Sequence, residues 1–262
     1  MNLKQKMKQG PVFGFAVFTG AMSVIESIGN WGYDFVYLDV EHTSIGVGPD
    51  LEKQIMAARL AGISSVVRLT GTNEVDIRKV LEMGVEGVVI PHIRTRKDAE
   101  EIVRAAKFPP LGRRGAESNV RAAAFGGPGF NWPEYIRKSN EESLIIPMAE
   151  DFEFADNVDE ILAVDGIDAI NFGPIDYSLS AGLPIGYKID HPSLFDAYQK
   201  IETRARAKGI GIMCPVVPAT QENARDMIAK GVNMLILGND MYHLQSAFKN
   251  IMAECVEPIR KS

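Results

Sequence analysis

The sequence contains few of the residues that mark disulfide-stabilised, exported or nucleic-acid-binding proteins. Only two of its 262 residues are cysteine, and Cys214 and Cys255 lie far apart without a C-x-x-C spacing, so no disulfide framework or thiolate metal site is indicated. No apolar run approaches the roughly 20 residues that a membrane-spanning helix needs, and no export signal follows the basic start. Basic residues number 28 against 34 acidic ones, without a basic run. We expect a cytoplasmic protein with neither membrane nor nucleic acid as a partner.

Two common catalytic signatures are also missing. The sequence has no G-x-S-x-G elbow and no G-x-G-x-x-G fingerprint, so hydrolase and dinucleotide-binding functions have no support. The Gly126–Gly129 stretch lacks the lysine and the strand-to-helix context of a phosphate-binding loop. The function therefore has to be sought in the arrangement of other polar residues.

Short apolar segments rich in Val, Ile and Phe alternate with segments of helical period, the pattern of parallel βαβ units. It predicts eight strands, at 12–18, 35–40, 64–69, 87–91, 144–150, 169–173, 210–217 and 234–238. A glycine suited to a helix C-terminus precedes five of them, namely Gly62, Gly84, Gly166, Gly209 and Gly231. We predict one α/β domain over residues 1–262, a (β/α)8 TIM barrel, with a doubly wound open sheet as the alternative.

The helical period predicts helices at 50–61, 73–83 and 96–107, between the predicted strands. A capping-box pattern from Thr95 to Asp98 marks the start of the third. One connection, between the fourth and fifth strands, is too long for a simple helix and contains a segment rich in Gly, Pro, Arg and aromatic residues, 108–135. Long loops of this kind are usually functional. We interpret it as a lid or an interface segment.

Carboxylates leave two neighbouring strands where an α/β barrel places its active site, at the C-terminal strand ends. These residues are Glu150 and Asp176. Oxygen ligands suit Mg²⁺ or Mn²⁺, and a bound 2-oxo acid would complete the coordination, so that the metal acts as a Lewis acid. The alternative is that either carboxylate only caps the following helix.

Two further strand ends carry groups suited to proton transfer and anion binding. His42 follows Asp39 by three residues, which predicts a base whose ring the carboxylate orients. Arg68 ends an apolar strand, where a guanidinium needs an anion; a substrate oxygen would serve, but so would an ion pair with Glu82 or Asp39. No lysine ends a predicted strand, which favours metal-assisted enolisation over imine chemistry.

Four motifs together resemble the HpcH/HpaI aldolase family, the metal-dependent class II pyruvate aldolases, over residues 10–255. They are L-D-V-E-H (38–42), V-R-L (67–69), F-P-P-L-G-R-R-G (108–115) with Arg121-Ala122, and F-G-P-I-D-Y-S (172–178). The resemblance implies an enzyme that cleaves a 4-hydroxy-2-oxo acid into pyruvate, or a close 2-oxo acid, and an aldehyde. It also implies a divalent cofactor, Mg²⁺, Mn²⁺ or Co²⁺, and a homo-oligomer, a trimer or a hexamer that exchanges the last helix, here 241–256.

The resemblance also implies roles for individual residues. Glu150 and Asp176 would bind the metal, and Arg68 would contact the pyruvyl oxygen. His42, paired with Asp39, would act as acid and base for the aldol hydroxyl. The backbone around Gly173, Pro174 and Ile175 would hold the substrate carboxylate, and Glu82 would lie near the acid/base site of a neighbouring subunit.

Two departures from the family pattern bear on substrate choice. The family's Gln-x-Glu reads Met148-Ala149-Glu150 here, and Glu82 replaces a common Asp. Two other functions stay open at this stage. A lyase similar to citrate lyase β subunits would act on acyl-CoA thioesters and would lack the D-x-E-H segment, whereas a non-enzymatic 2-oxo acid binding protein would not need His42 with Asp39.

Overall fold

Eight parallel strands close into a barrel in the computed structural model, which describes residues 1–186 and 188–261. Every predicted strand is confirmed to within two residues at each end. The strands are β1 Val12–Val17, β2 Phe35–Asp39, β3 Ser64–Arg68, β4 Gly87–Ile90, β5 Leu144–Ala149, β6 Ala169–Phe172, β7 Gly211–Pro215 and β8 Met234–Asn239. Each pairs with the next, and β8 returns to β1 with Met234 opposite Val12. The open doubly wound sheet is thereby excluded.

Helices surround this barrel. They are α1 Leu3–Gln9, α2 Met22–Asn30, α3 Pro49–Leu60, α4 Glu74–Glu82, α5 Arg96–Ala106, α6 Trp132–Glu142, α7 Phe152–Asp156, α8 Val158–Ile161, α9 Pro174–Ser180, α10 Pro192–Ala207, α11 Gln221–Ala229, α12 Asp240–Ile251 and α13 Glu257–Lys261. A 3-10 segment, Arg121–Gly126, and a π-helical segment, Met252–Val256, complete the chain. Within the described ranges, none of these helices is long and apolar enough to cross a membrane.

Local signals explain where several elements begin and end. The capping box before α5 is formed, because Thr95 accepts from the Asp98 amide and the Asp98 carboxylate accepts from the Thr95 amide. All five predicted junction glycines have positive φ. At Gly166 (φ 100°) space is limiting too, because a Cβ would lie 2.9 Å from Val103 Cγ1. Helix, glycine and strand follow one another here for a local steric reason.

The apolar residues form two cores that together hold the rim in place. One lies between the outer face of the barrel and the helices, and the other fills the barrel interior. Helix α1 was not foreseen, and its Leu3 and Met7 close the N-terminal end of the interior core. Helix α1 thus covers the N-terminal end of the interior, and the candidate residues lie at the opposite, C-terminal strand ends.

Candidate active site

A buried ion pair joins the ends of β2 and β3. Arg68 Nε donates to Asp39 Oδ1 at 3.0 Å, and Nη2 donates to Oδ2. Asp39 Oδ1 also accepts from the backbone N–H groups of Glu41 (2.9 Å) and His42 (3.4 Å). The Asp39 carboxylate thus holds both the guanidinium and the turn that follows β2. Asp39, rather than Glu82, is the carboxylate that forms the ion pair with Arg68.

This ion pair corrects the predicted pairing of Asp39 with the His42 ring. Asp39 contacts only the backbone of His42, and the ring Nε2 lies 3.5 Å from Oε2 of Glu41 instead. The reason is competition, because a buried guanidinium needs its charge offset and occupies both Asp39 oxygens. The His42 side chain is 59% exposed, so it stands at the mouth of the site.

Glu150 follows β5 and is buried at the rim. Its Oε1 accepts from the His92 backbone N–H at 2.8 Å and lies 3.3 Å from the His92 ring Nδ1. Burial raises the pKa of the Glu150 carboxyl, the His92 contacts oppose that rise, and the carboxylates of Glu41 and Asp176 add to it. Glu150 therefore belongs to a cluster of negative groups that a cation would stabilise.

His92 is the point where several acidic groups meet. Its backbone has φ 57°, an uncommon conformation for a residue other than glycine. The ring Nδ1 lies 3.1 Å from Asp151 Oδ2, and Nε2 lies 3.9 Å from Glu41 Oε1. Burial lowers the pKa of His92, but the carboxylates of Asp151, Glu150 and Glu41 outweigh burial and raise it.

The donor set fits a hard divalent cation. Glu150 and Asp176 offer carboxylate oxygens, and Glu41 Oε2 is buried without a hydrogen bond in the described chain, although Arg68 Nη1 lies 3.2 Å away. His92, Glu150 and Asp151 also bring one ligand atom each within 4.8 Å of one another. Asp151, however, already holds both Arg94 and His92. Asp151 is thus committed to two side chains, whereas the observed contacts of Glu150 are with His92 alone.

The turn from β6 into α9 runs against Glu150. A Cβ on Gly173 would lie 3.2 Å from Glu150 Cβ and from Met148 Cε, so a side chain there would crowd the carboxylate. The first helical hydrogen bond runs from the Tyr177 N–H to the Gly173 carbonyl at 2.9 Å. The N–H groups of Ile175 and Asp176 precede that bond and have no partner within the helix, whereas Pro174 has no N–H group.

A cavity of about 340 Å³ lies beside these groups at the C-terminal strand ends. The predicted site residues that line it are His42, Arg68, Gly173, Pro174, Ile175 and Asp176. Its walls also include apolar side chains from β1, β5, β7 and β8, namely Ala16, Met148, Pro215 and Ile236. This volume lies at the lower end of the range for small-molecule binding sites.

Glu82 is not brought to this cavity. It ends α4, and because barrel helices run antiparallel to the strands, it lies at the opposite end of the barrel, where its charge acts on Arg114 and Tyr135. Sequence reasoning also gave no role to Glu41, and it gave His92 little weight. The position of Glu41 next to His42 in the sequence could have indicated a role for it. The role of His92 depends on its contact with Glu150, which is 58 residues away in the chain.

Comparisons with known proteins identify relatives of this chain. A family profile described as HpcH/HpaI aldolase/citrate lyase matches residues 17–247. The 4-hydroxy-2-oxovalerate aldolase of Novosphingobium aromaticivorans is 30% identical, over 92% of this chain and 89% of its own length. The 5-keto-4-deoxy-D-glucarate aldolase of Shigella dysenteriae is 32% identical, over 86% and 85%. An HpcH/HpaI aldolase structure from Desulfitobacterium hafniense superposes with a TM-score of 0.89 at 28% identity, covering 98% of this chain and 97% of that one.

Proposed function

The chain belongs to the HpcH/HpaI aldolase/citrate lyase family, and we propose that it is a class II aldolase, a carbon-carbon lyase that cleaves a 4-hydroxy-2-oxo acid into a 2-oxo acid and an aldehyde. The observation that carries this proposal is the convergence of Asp176, Arg68 and His42 on one small cavity, with Glu150 packed against Gly173 in its wall. Two of the relatives it matches are aldolases by name. The D-x-E-H segment at the rim favours this activity over an acyl-CoA lyase, and His42 favours it over simple binding.

Glu150 and Asp176 would hold a divalent ion. When bound, such an ion supplies a Lewis acid that polarises the 2-oxo group. The negative neighbourhood of Glu150, to which Glu41 and Asp176 contribute, supports this assignment. We keep Mg²⁺, Mn²⁺ and Co²⁺ as candidates, because carboxylate oxygens suit each of them.

Arg68 would stabilise the oxyanion of the enolate with its Nη1 side, because Nε and Nη2 are committed to Asp39. Asp39 acts as a positioning residue, since it touches Arg68 and the His42 backbone but not the cavity. The N–H groups of Ile175 and Asp176, beside Gly173 and Pro174, would hold the substrate carboxylate.

His42 would move the proton of the aldol hydroxyl. Its Nε2 lies beside Glu41, which leaves Nδ1 for the substrate or for a bridging water. In cleavage, Nδ1 takes the hydroxyl proton while the bond between C3 and C4 breaks, the electron pair passes to the 2-oxo acid fragment, and the aldehyde departs through the mouth.

We also propose that the protein is a homo-oligomer, either a trimer or a hexamer, in which subunits exchange their last helix. The helical run 240–261 buries only Asp240 and exposes Phe248, Ile251 and Ile259. Beside it, the outer face of β1 and α2 form an apolar groove lined by Phe13, Phe15, Val24, Ile28 and Trp31. We propose that the last helix of a second copy packs in this groove and that Glu82 reaches a neighbouring site in such an assembly.

Two further statements stay proposals. We propose that residues 1–262 form one aldolase domain, because the barrel strands run from residue 12 to residue 239 and the flanking helices pack on them. We also propose the cytoplasm as the location, since Cys214 and Cys255 are both free thiols, as a reducing compartment favours.

The experiment that tests the function is an aldol screen. The purified protein is incubated with pyruvate, a panel of aldehydes and Mg²⁺, Mn²⁺ or Co²⁺, before and after chelation, and the products are identified by mass spectrometry. We expect metal-dependent 4-hydroxy-2-oxo acids. Cleavage of acyl-CoA thioesters without any aldol product would favour the lyase alternative.

A further inference from the structure

The imidazole ring of His92 lies between two carboxylates at the rim of the barrel. His92 follows β4, two residues after Ile90. Its Nδ1 lies 3.3 Å from Glu150 Oε1, and its Nε2 lies 3.9 Å from Glu41 Oε1. The two ring nitrogens thus face different carboxylates, and Nδ1 is the one that faces the proposed metal ligand Glu150.

The backbone of His92 holds the ring in this position. Its φ of 57° is a left-handed conformation, which is uncommon for a residue other than glycine and costs conformational free energy. The N–H group of the same residue donates to Glu150 Oε1 at 2.8 Å. Backbone and ring therefore approach one carboxylate together, and strain of this kind collects where the position of a side chain is used.

The distance from Nδ1 to Glu150 fits two ligands of the same ion. Neighbouring ligands of an octahedral ion lie about 3 Å apart when each bond to the ion is about 2.1 Å long. The separation of 3.3 Å between Nδ1 and Oε1 is close to that value. His92, Glu150 and Asp151 each bring a ligand atom within 4.8 Å of the others.

Asp151 competes for the same ring nitrogen, but Arg94 makes that contact replaceable. Nδ1 lies 3.1 Å from Asp151 Oδ2. Arg94 Nε also lies 3.0 Å from Oδ2, and Arg94 Nη2 donates to Oδ1 at 3.2 Å. Both oxygens of Asp151 therefore keep a guanidinium partner if the ring turns its Nδ1 to an ion.

Glu41 lies where a metal-binding histidine needs an acceptor. A histidine that binds an ion through one ring nitrogen carries its hydrogen on the other, and that N–H group is usually donated to a carboxylate or a carbonyl. Glu41 Oε1 is the carboxylate oxygen near Nε2, and Glu41 Oε2 is buried without a hydrogen bond among the described residues. The His92 side chain is 53% exposed, so a small rotation of the ring can close the gap of 3.9 Å.

Glu150 also reaches toward the second proposed ligand. Its Oε1 faces His92, whereas its Oε2 faces the turn between β6 and α9, since a Cβ on Gly173 would lie 3.7 Å from Oε2. Asp176 belongs to the first turn of α9. His92 and Asp176 thus flank Glu150 from the two strand ends on either side of β5.

We propose that His92 Nδ1 is a third protein ligand of the divalent ion, together with Glu150 and Asp176, so that the site selects a transition ion such as Mn²⁺ or Co²⁺ over Mg²⁺. This inference rests on the metal site of the proposed function. Imidazole nitrogen suits first-row transition ions, whereas Mg²⁺ prefers oxygen ligands and water. Two carboxylates without the imidazole would discriminate less between these ions.

The test removes the ring and keeps the backbone. His92→Gly suits a φ of 57° and retains the N–H group that binds Glu150, and His92→Asn is a second variant because asparagine also adopts this conformation. His191→Asn is the matched control. His191 is the N-cap residue of α10, a position that asparagine favours, and it does not line the cavity.

Two properties are measured on the purified protein with the metal alone. Pulsed EPR of bound Mn²⁺ detects the hyperfine coupling of a directly bound nitrogen nucleus, and calorimetric titration gives the Kd values for Mn²⁺ and Mg²⁺. We expect nitrogen coupling in the wild type and in His191→Asn but not in either His92 variant. The affinity for Mn²⁺ should fall by at least about 10-fold in the His92 variants. The affinity for Mg²⁺ should fall much less, so that the preference for Mn²⁺ shrinks.

Glu150→Gln distinguishes failure of this inference from failure of the proposed metal site. If Glu150→Gln weakens Mn²⁺ binding but the His92 variants keep the wild-type affinities and no nitrogen coupling is seen, the metal site stands and His92 is not a ligand. If the wild type does not bind Mn²⁺, or Glu150→Gln binds it equally tightly, both proposals are refuted. A nitrogen coupling that persists in His92→Gly and disappears in His42→Ala would assign the ligand to His42 and overturn the inference.

Discussion

Arg68 and Asp39 form a buried two-point ion pair between adjacent strand ends, with Nε and Nη2 of the guanidinium each bound to a different carboxylate oxygen. The pair holds the ends of β2 and β3 together, and Asp39 also binds the backbone of the turn that follows β2. Two guanidinium nitrogens, Nε and Nη2, therefore bind Asp39, and the third, Nη1, lies 3.2 Å from Glu41 Oε2.

Breaking this pair should destabilise the barrel strongly. Arg68→Met leaves the Asp39 charge buried and alone, so we expect the free energy of unfolding to fall by about 3–5 kcal/mol. The double variant Asp39→Asn with Arg68→Met should lose much less than the sum of the single variants. Urea unfolding at a fixed protein concentration measures this, and additive losses would show that the two residues are not coupled.

Chelation should abolish aldol activity, and added Mn²⁺ should restore it. Glu150→Gln and Asp176→Asn should each reduce both activity and Mn²⁺ affinity by at least about 10-fold, because each removes a charged ligand. Asp159→Asn is the control, since Asp159 is an exposed carboxylate paired with Arg204 away from the rim. Calorimetric titration with Mn²⁺ gives the affinities, and full turnover in excess EDTA would contradict the metal assignment.

His42 and Arg68 should separate bond cleavage from enolate formation. His42→Ala should slow retro-aldol cleavage by roughly 10²- to 10⁴-fold and affect deuterium exchange at the pyruvate methyl group less. Arg68→Ala should damage both reactions, because the enolate is common to them. NMR follows the exchange beside the cleavage rate. Normal exchange in Arg68→Ala with lost exchange in His42→Ala would reverse the two roles.

Borohydride should trap no adduct with pyruvate. Among the described residues that line the cavity there is no lysine, and Lys107 is buried against the Asn140 and Ser143 carbonyls. Intact-mass spectrometry after reduction checks this. A lysine labelled at the rim would establish imine chemistry instead.

The two thiols should differ sharply in reactivity. Cys214 is buried in β7, and burial raises the pKa of its thiol, so almost no thiolate is present at neutral pH. Cys255→Ser should therefore show no fast thiol with Ellman's reagent until urea unfolds it. Cys214→Ser isolates the exposed Cys255 for comparison, and a rapid reaction of native Cys255→Ser would contradict the burial of Cys214.

Most of the fold and the positions of the rim residues followed from the sequence. Strand and helix periods are local patterns, the glycines and the Thr95 capping box act within a few residues, and the eight strands could be assigned from them. Because parallel strands end on one face, Glu150, Asp176, Arg68 and His42 could be placed on the same rim before the structure was known.

Only the tertiary structure decided which of these groups meet. Asp39 and Arg68 are 29 residues apart, and Glu150 and His92 are 58 apart. No local period encodes such contacts, because they depend on how the closed barrel orders its strands and on which carboxylate a buried guanidinium reaches. The sequence therefore predicted that Asp39 and His42 lie at the end of β2. In the closed barrel, however, the Asp39 carboxylate binds Arg68, and the His42 ring lies beside Glu41.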